Sequence, residues 1–133
     1  MNKILIGVAF LALAGGAYYV YNRRRQGMKD WYLPKVEVLD GKLEFSSVVS
    51  FFRTLNLDQN VHVPFVGREG GKDFSKFFGS KPFPEHRDGY EAVFIGVFNE
   101  KKNEIDEFKV IYARELDGKT NEVFGNEYLV VLN

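Results

Sequence analysis

The chain contains no cysteine, and this absence excludes several kinds of site at once. Without a thiol there is no disulfide, no thiolate zinc site and no cysteine nucleophile. There is also no cysteine to carry a lipid, which excludes a bacterial lipoprotein and a palmitoylated anchor. Histidine is nearly as scarce: His62 and His86 are the only two, and neither has a second histidine at metal-binding spacing. The sequence therefore predicts no metal site.

Recognisable catalytic patterns are missing as well. Residues 85–88 gather titratable groups around His86, but neighbouring residues in a chain do not face one another, and a general base must be held against a nucleophile. Residues 67–73 faintly suggest a phosphate loop, yet Val66 stands where the pattern needs glycine and Asp73 stands where it needs serine or threonine. We expect no cofactor and no enzymatic activity.

Charge is distributed unevenly along the chain, although the formal net charge is zero. No acidic residue precedes Asp30, whereas residues 30–133 hold 13 of the 18 basic side chains and all 18 acidic ones, a net charge of −5. Nucleic-acid affinity depends on Lys and Arg neutralising phosphates. An acidic domain of this kind predicts that the chain does not bind nucleic acid.

Residues 4–21 form an uncharged and almost wholly apolar run. As a helix, these 18 residues would reach about 27 Å, close to the thickness of a bilayer core. Aromatic rings and arginines follow at its C-terminal end, which predicts a transmembrane anchor over residues 1–25, with the N-terminus outside and the following domain in the cytoplasm. The predicted membrane-interface residues are Tyr18, Tyr19, Tyr21, Arg23, Arg24, Arg25 and Trp31.

A second interpretation of the same run is a signal peptide cleaved after Ala14, because residues 12–14 match the small-residue cleavage pattern. The apolar run continues beyond that position and three arginines follow, which favours an uncleaved anchor. Ala12 and Gly16 have the spacing that lets helices pack closely in lipid. A homo-oligomer formed through this helix is one expectation that follows.

Residues 26–30 are a short linker, and residues 31–133 are predicted to form one small β-rich domain. Residues 35–39 and 42–45 alternate around Asp40 and Gly41, which predicts a β-hairpin. A helical stripe begins at Phe45, with Ser46 or Ser47 as N-cap, although a strand remains an alternative there. Residues 61–66 read as an edge strand because of Pro64.

The C-terminal third predicts three strands, at residues 90–98, 105–114 and 127–132, with the first two joined as a hairpin. Residues 120–126 are expected to add a short strand, and Asp117 with Gly118 to form a turn. The predicted fold class is a single N-terminal transmembrane helix plus a small, mainly antiparallel β (α+β) domain with one or two short helices.

Phenylalanine is abundant, at 13 residues, and exposed aromatic side chains often mark protein contacts. Phe51 falls off the helical stripe, and four others cluster in a loop-rich segment. These phenylalanines pack in the core or form a contact surface. Trp31 likewise lies at the membrane interface or in the core of the domain. The candidate partner-contact residues are Phe51, Phe74, Phe77, Phe78 and Phe83.

The layout of the chain resembles that of a known class of proteins. It begins with Lys3 and the apolar run of residues 4–21, continues with the basic cluster of Arg23, Arg24 and Arg25, and ends in a small domain. It is similar to small membrane-anchored minor capsid proteins of icosahedral phages with an internal membrane, the tectivirus- and corticovirus-like group. The resemblance covers about 25 residues, concerns layout alone and transfers no functional residue.

That resemblance implies a non-enzymatic structural protein that links a bilayer to a protein shell, with capsid subunits as partners. The alternative is a bacterial single-pass inner-membrane accessory protein whose cytoplasmic domain binds a partner subunit of a membrane complex, or a ligand. Both interpretations place the lipid bilayer and another protein among the partners of this chain.

Overall fold

The structure is a computed structural model that describes residues 12–13, 35–70 and 84–132. These residues form eight strands and two helices, in an order that mixes local and distant pairing. The elements are β1 (Ala12–Leu13), β2 (Lys35–Val38), β3 (Lys42–Leu43), α1 (Phe45–Arg53), β4 (His62–Arg68), β5 (Glu91–Asn99), β6 (Glu104–Ala113), β7 (Glu115–Leu116), α2 (Gly118–Phe124) and β8 (Leu129–Leu132).

Six strands form the main sheet, in the order β1-β8-β4-β5-β6-β2. All neighbours are antiparallel except β2, which runs parallel to β6 at the edge of the sheet. Strands β3 and β7 form a separate two-stranded parallel sheet. The described part of the chain is therefore a mainly β domain with two helices.

Helix α1 covers one face of the main sheet. Its apolar residues recur at the spacing of a helical stripe, and Phe45, Val48, Val49 and Phe52 are all buried. They pack against side chains of β4, β5, β6 and β8, together with Phe124 from α2. Burial of this stripe, rather than helix propensity, stabilises a helix of only nine residues.

Aromatic rings fill the opposite face of the sheet. The ring of Phe65 lies 4.4 Å from that of Phe98 and 6.0 Å from that of Phe108, centroid to centroid. Two glycines make room for these rings: Gly96 lies opposite Phe65 and Gly67 lies opposite Phe94 in the β4–β5 register. Each phenylalanine thus occupies the space over a glycine of the neighbouring strand.

Asp117 joins the two helices at their N-termini. Its Oδ1 accepts hydrogen bonds from the backbone N–H of Thr120 at 2.8 Å and from the Thr120 hydroxyl, which caps α2. Its Oδ2 accepts the backbone N–H of Phe45, the first residue of α1, at 3.1 Å. Glu44, the N-cap residue of α1 by position, makes no side-chain cap. One carboxylate therefore accepts a backbone N–H from the first turn of each helix.

The predicted fold class is wrong in its transmembrane helix. Ala12–Leu13, in the middle of the apolar run, form strand β1 and pair antiparallel with Val131 and Leu132 of β8. Within residues 12–13, 35–70 and 84–132, neither helix has the length and apolar character needed to cross a bilayer. The backbone N–H and C=O groups of an apolar segment can be hydrogen-bonded in a sheet as well as in a helix, so hydrophobicity alone does not distinguish a strand from a helix.

Several local predictions also change. Residues 35–39 and 42–45 do not form a hairpin, because β2 pairs with β6 and β3 pairs with β7. Strand β4 is not an edge strand but lies between β5 and β8. Pro64 is tolerated there because the pairing of β4 with β8 begins only at the next residue, Phe65. Residues 118–124 are helical, not a strand. The β5–β6 hairpin and the helical stripe starting at Phe45 are confirmed.

Candidate functional site

The free side of β2 is the most accessible apolar strand surface in the described part of the chain. Val36 and Val38 are 60% and 43% exposed, whereas the apolar residues of the central strands β5 and β6 are buried. Both valines lie on the aromatic face of the sheet, because they pair with Val110 and Tyr112 of β6. An edge strand presents unpaired N–H and C=O groups with which another chain can pair, and exposed apolar side chains beside them favour such a contact.

The backbone of β2 presents its polar groups to this free side in a fixed pattern. Leu39 donates its N–H to the carbonyl of Tyr112 at 2.7 Å, so its backbone groups face β6. Since these directions alternate along a strand, the groups of Lys35 and Glu37 also face β6. The N–H and C=O groups of Val36 and Val38 therefore point away from the sheet, where an added strand could bond them.

A cleft of about 370 Å³ adjoins this edge, between β2 and α1. Apolar side chains form its floor and hydroxyl groups of α1 line its rim. The lining residues are Glu37, Leu39, Leu43, Ser47, Ser50, Phe51, Thr54, Ile95, Lys109 and Ile111. Glu37 lines the cleft and lies between Val36 and Val38 on β2, so the cleft borders this strand on the face of the sheet that α1 covers. The cleft and the free side of β2 are together called the β2 surface below.

Charged side chains lie on the part of the β2 surface that is nearest to α1. Lys109 Nζ lies 2.5 Å from Glu37 Oε2 and 5.5 Å from the centroid of the Phe51 ring. Lys35 has Lys109 as its cross-strand neighbour and makes no ion pair among the described residues. Among the described residues, the edge therefore carries a cation without an acidic partner, Lys35, beside a carboxylate, Glu37, that pairs with Lys109 through one of its two oxygens.

A second cleft, of about 380 Å³, lies near Arg68 and is less suited to bind another molecule. The Arg68 guanidinium lies 5.0 Å from the ring centroid of Phe124 and 4.9 Å from that of Tyr128. It donates to the carbonyl oxygens of Glu127 at 3.0 Å and Gly125 at 3.2 Å. Its donors therefore hold the turn between α2 and β8 in place.

His86 lies in an exposed loop and joins two carboxylates. Its Nδ1 lies 2.5 Å from Glu69 Oε1, and its Nε2 lies 2.9 Å from Asp88 Oδ1. These hydrogen bonds, that of Glu69 first, raise the pKa of His86 above its usual value of 6.5. Residues 85–88 alone do not predict this contact, because the loop turns back on itself and Glu69 comes from the turn that follows β4.

We expect NMR titration to give His86 a pKa above 6.5, and the Glu69→Gln variant to bring it back towards 6.5. Because the folded-state pKa is raised, the protonated His86 stabilises the fold below pH 6.5, and this contribution disappears as the pH rises through the folded-state pKa. Asp40→Asn, which removes a carboxylate bonded to Arg114, serves as the control. A pKa at or below 6.5 in the wild type would contradict the geometry.

Of the predicted contact residues, only Phe51 lies in the described part of the chain. Its ring packs edge-on against Phe52 at 5.5 Å and lines the cleft of the β2 surface. Ala12, predicted for helix packing, is instead in β1. The remaining predicted residues lie outside the described ranges: Gly16, Tyr18, Tyr19, Tyr21, Arg23, Arg24, Arg25, Trp31, Phe74, Phe77, Phe78 and Phe83.

The sequence does not single out Lys35, Val36, Glu37 and Val38, because their alternation predicts one half of a hairpin. The sequence nevertheless contains one indication of an edge strand. Lys35 and Glu37, the two residues of β2 on the α1 side of the sheet, are both charged, which is typical of an edge strand. Among residues 12–13, 35–70 and 84–132, no group of three or more His, Asp or Glu side chains is placed to hold a metal ion.

Comparison with known proteins gives no further guidance to the site. No family model matches the chain, and no curated protein or solved structure is significantly similar to it. The geometry of the β2 surface is therefore what points to a function.

Proposed function

We propose that this chain is a non-enzymatic structural subunit that accepts an extended strand of another protein chain along the free side of β2. The observation that carries the proposal is the combination of outward backbone groups and exposed side chains at Val36 and Val38. Strand addition to a sheet edge takes its affinity from main-chain hydrogen bonds and its specificity from alternate side chains.

The charges of the β2 surface make such an edge selective. An unprotected apolar edge would pair with any strand, and native proteins prevent this with charged residues. Here Lys35 and Glu37 have to be matched by charges on the incoming strand, since like charges directly opposite destabilise a strand pair. The adjoining cleft with Phe51 and the α1 hydroxyls offers room for side chains of the same incoming segment.

The proposal keeps one part of the role predicted from the sequence. It retains a structural subunit in a protein assembly, and it leaves out the transmembrane helix, because Ala12–Leu13 form a strand. Attachment to a bilayer, a phage capsid and the cellular alternative remain predictions from the sequence.

Site-specific photo-crosslinking in the native host tests the proposal. A benzoylphenylalanine at Ser50, exposed on the cleft rim, is expected to give one product of defined mass. Val36→Lys should lower its yield about tenfold, because it places a charge where apolar contact is needed. The matched control position is Lys101, which is exposed in the β5–β6 turn.

Two results would contradict the proposal. The first is an equal yield of the same product from positions 50 and 101, which would mean random collision. The second is a yield at position 50 that Val36→Lys leaves unchanged, which would mean that the crosslinked partner contacts the cleft without pairing with β2.

A further inference from the structure

We infer that the strand added to β2 belongs to a second copy of this chain, in an antiparallel pair centred on Val36. The inference rests on the proposed function and names its partner. It joins two six-stranded sheets into one continuous sheet across a two-fold axis.

The outward backbone groups limit the possible registers. Val36 and Val38 are the residues whose N–H and C=O face away from the sheet, so a symmetric antiparallel pair has to place outward residues opposite each other. Two registers satisfy this requirement near the middle of the strand. One puts Val36 opposite Val36 of the second copy, and the other puts Val36 opposite Val38 of the second copy.

Charge decides between these two registers. With Val36 at the centre, Lys35 of each copy lies directly opposite Glu37 of the other, and the symmetry produces this attractive pair twice. In the other register Glu37 lies directly opposite Glu37, which places two carboxylates about 4.5–5.5 Å apart at their Cβ atoms. The register centred on Val36 is therefore the favoured one.

The charges already present in one copy fit this arrangement. Lys35 has no acidic partner among the described residues and has Lys109 beside it on β6. Glu37 uses Oε2 for Lys109, at 2.5 Å, which leaves Oε1 for Lys35 of the second copy. Pairing thus supplies the missing counter-charge to Lys35 and places each Glu37 between two cations.

The same pairing covers the exposed valines. Val36, 60% exposed in one copy, packs against its symmetry mate on the aromatic face of the sheet. A four-residue edge buries less than the roughly 1,200–2,000 Å² of a stable interface, so the isolated dimer is weak, with a dissociation constant on the order of 0.1–1 mM. A larger assembly would raise the local concentration and stabilise the pair.

Sedimentation equilibrium of the full chain up to about 1 mM tests the inference, with Lys35→Glu and Glu37→Lys as paired variants. Each variant alone sets like charges opposite each other, so we expect its self-association to weaken about tenfold or more. An equimolar mixture restores two attractive pairs in a heterodimer. We expect its affinity to return to within about threefold of the wild type.

The mixture also controls for effects within one copy, because any repulsion between Lys109 and a lysine at position 37 is the same in the mixture as alone. Circular dichroism of both variants checks that they fold. A mixture that associates no better than the single variants, or a wild type that stays monomeric, would overturn the inference.

The crosslinking experiment separates this inference from the proposed function. A product of twice the chain mass from Ser50, reduced by Val36→Lys, supports both. A Val36-dependent product that contains a different protein and no second copy overturns the self-pairing and leaves the strand-accepting role intact.

Discussion

Replacing Gly96 by alanine is expected to destabilise the domain by about 3 kcal/mol. An added Cβ at this position would lie 2.5 Å from the backbone oxygen of Glu107 and 2.5 Å from the ring of Phe65. The first contact is with the paired strand β6 and the second with a ring that is fully buried, so neither can move aside cheaply. Urea unfolding followed by circular dichroism measures the loss.

The matched control is Gly118→Ala at the start of α2, where an added Cβ meets nothing within 4 Å. We expect this change to raise stability slightly, by about 0.4–1 kcal/mol, since it reduces the freedom of the unfolded chain. Gly67→Ala provides a second test, because its Cβ would lie only 2.0 Å from the nearest atom of the Phe94 ring. A Gly96→Ala variant as stable as Gly118→Ala would contradict the packing of the Phe65 ring over Gly96 between β4 and β5.

Asp117→Ala is the second substitution with a large expected effect, about 2–3 kcal/mol. Loss of one N-cap costs about 0.5–2 kcal/mol, and this carboxylate caps both helices through Phe45 and Thr120. Asp117→Asn should cost less, about 1–2 kcal/mol, because the amide oxygen still caps one helix while its NH₂ group faces the other N–H. Chemical unfolding of the two variants measures both values.

The pH dependence of Asp117 gives an independent readout. Partial burial opposes its charge, but the hydrogen bonds from Thr120 and Phe45 outweigh that effect and lower its pKa below 3.8. The stabilisation is therefore complete above pH 3.8 and is lost as the pH falls through the folded-state pKa. Thr120→Val, which removes the hydroxyl and keeps the backbone donor, is the control and should cost about 1 kcal/mol. An Asp117→Ala variant within about 0.5 kcal/mol of the wild type would contradict the double cap.

Features with local causes could be predicted from the sequence. The β5–β6 hairpin follows from two long runs of β-forming residues around a polar turn, and α1 follows from the spacing of Phe45, Val48, Val49 and Phe52. Burial of both faces of β6 also follows from its nearly continuous apolar end, where Val110 and Tyr112 face one core and Ile111 faces the other.

Features that depend on distant partners could not be predicted. Asp40 and Gly41 do form a bend, but the strands on either side find partners about 70 residues away, which no local pattern shows. Asp117 reads as a turn residue because its second role, capping α1, requires the fold itself. The β2 surface is not predictable from the sequence for the same reason, since only the sheet order shows that β2 lies at an edge.

Strand β8 connects distant parts of the chain: it takes Ala12–Leu13 on one side and residues 65–67 of β4 on the other. A nascent chain leaving the ribosome therefore holds β1 and one flank of β4 without their neighbour until residues 129–132 have been made. Because these strand edges pair with β8 only late, folding is expected to be slow, and molecular chaperones have time to bind the unpaired edges of β1 and β4.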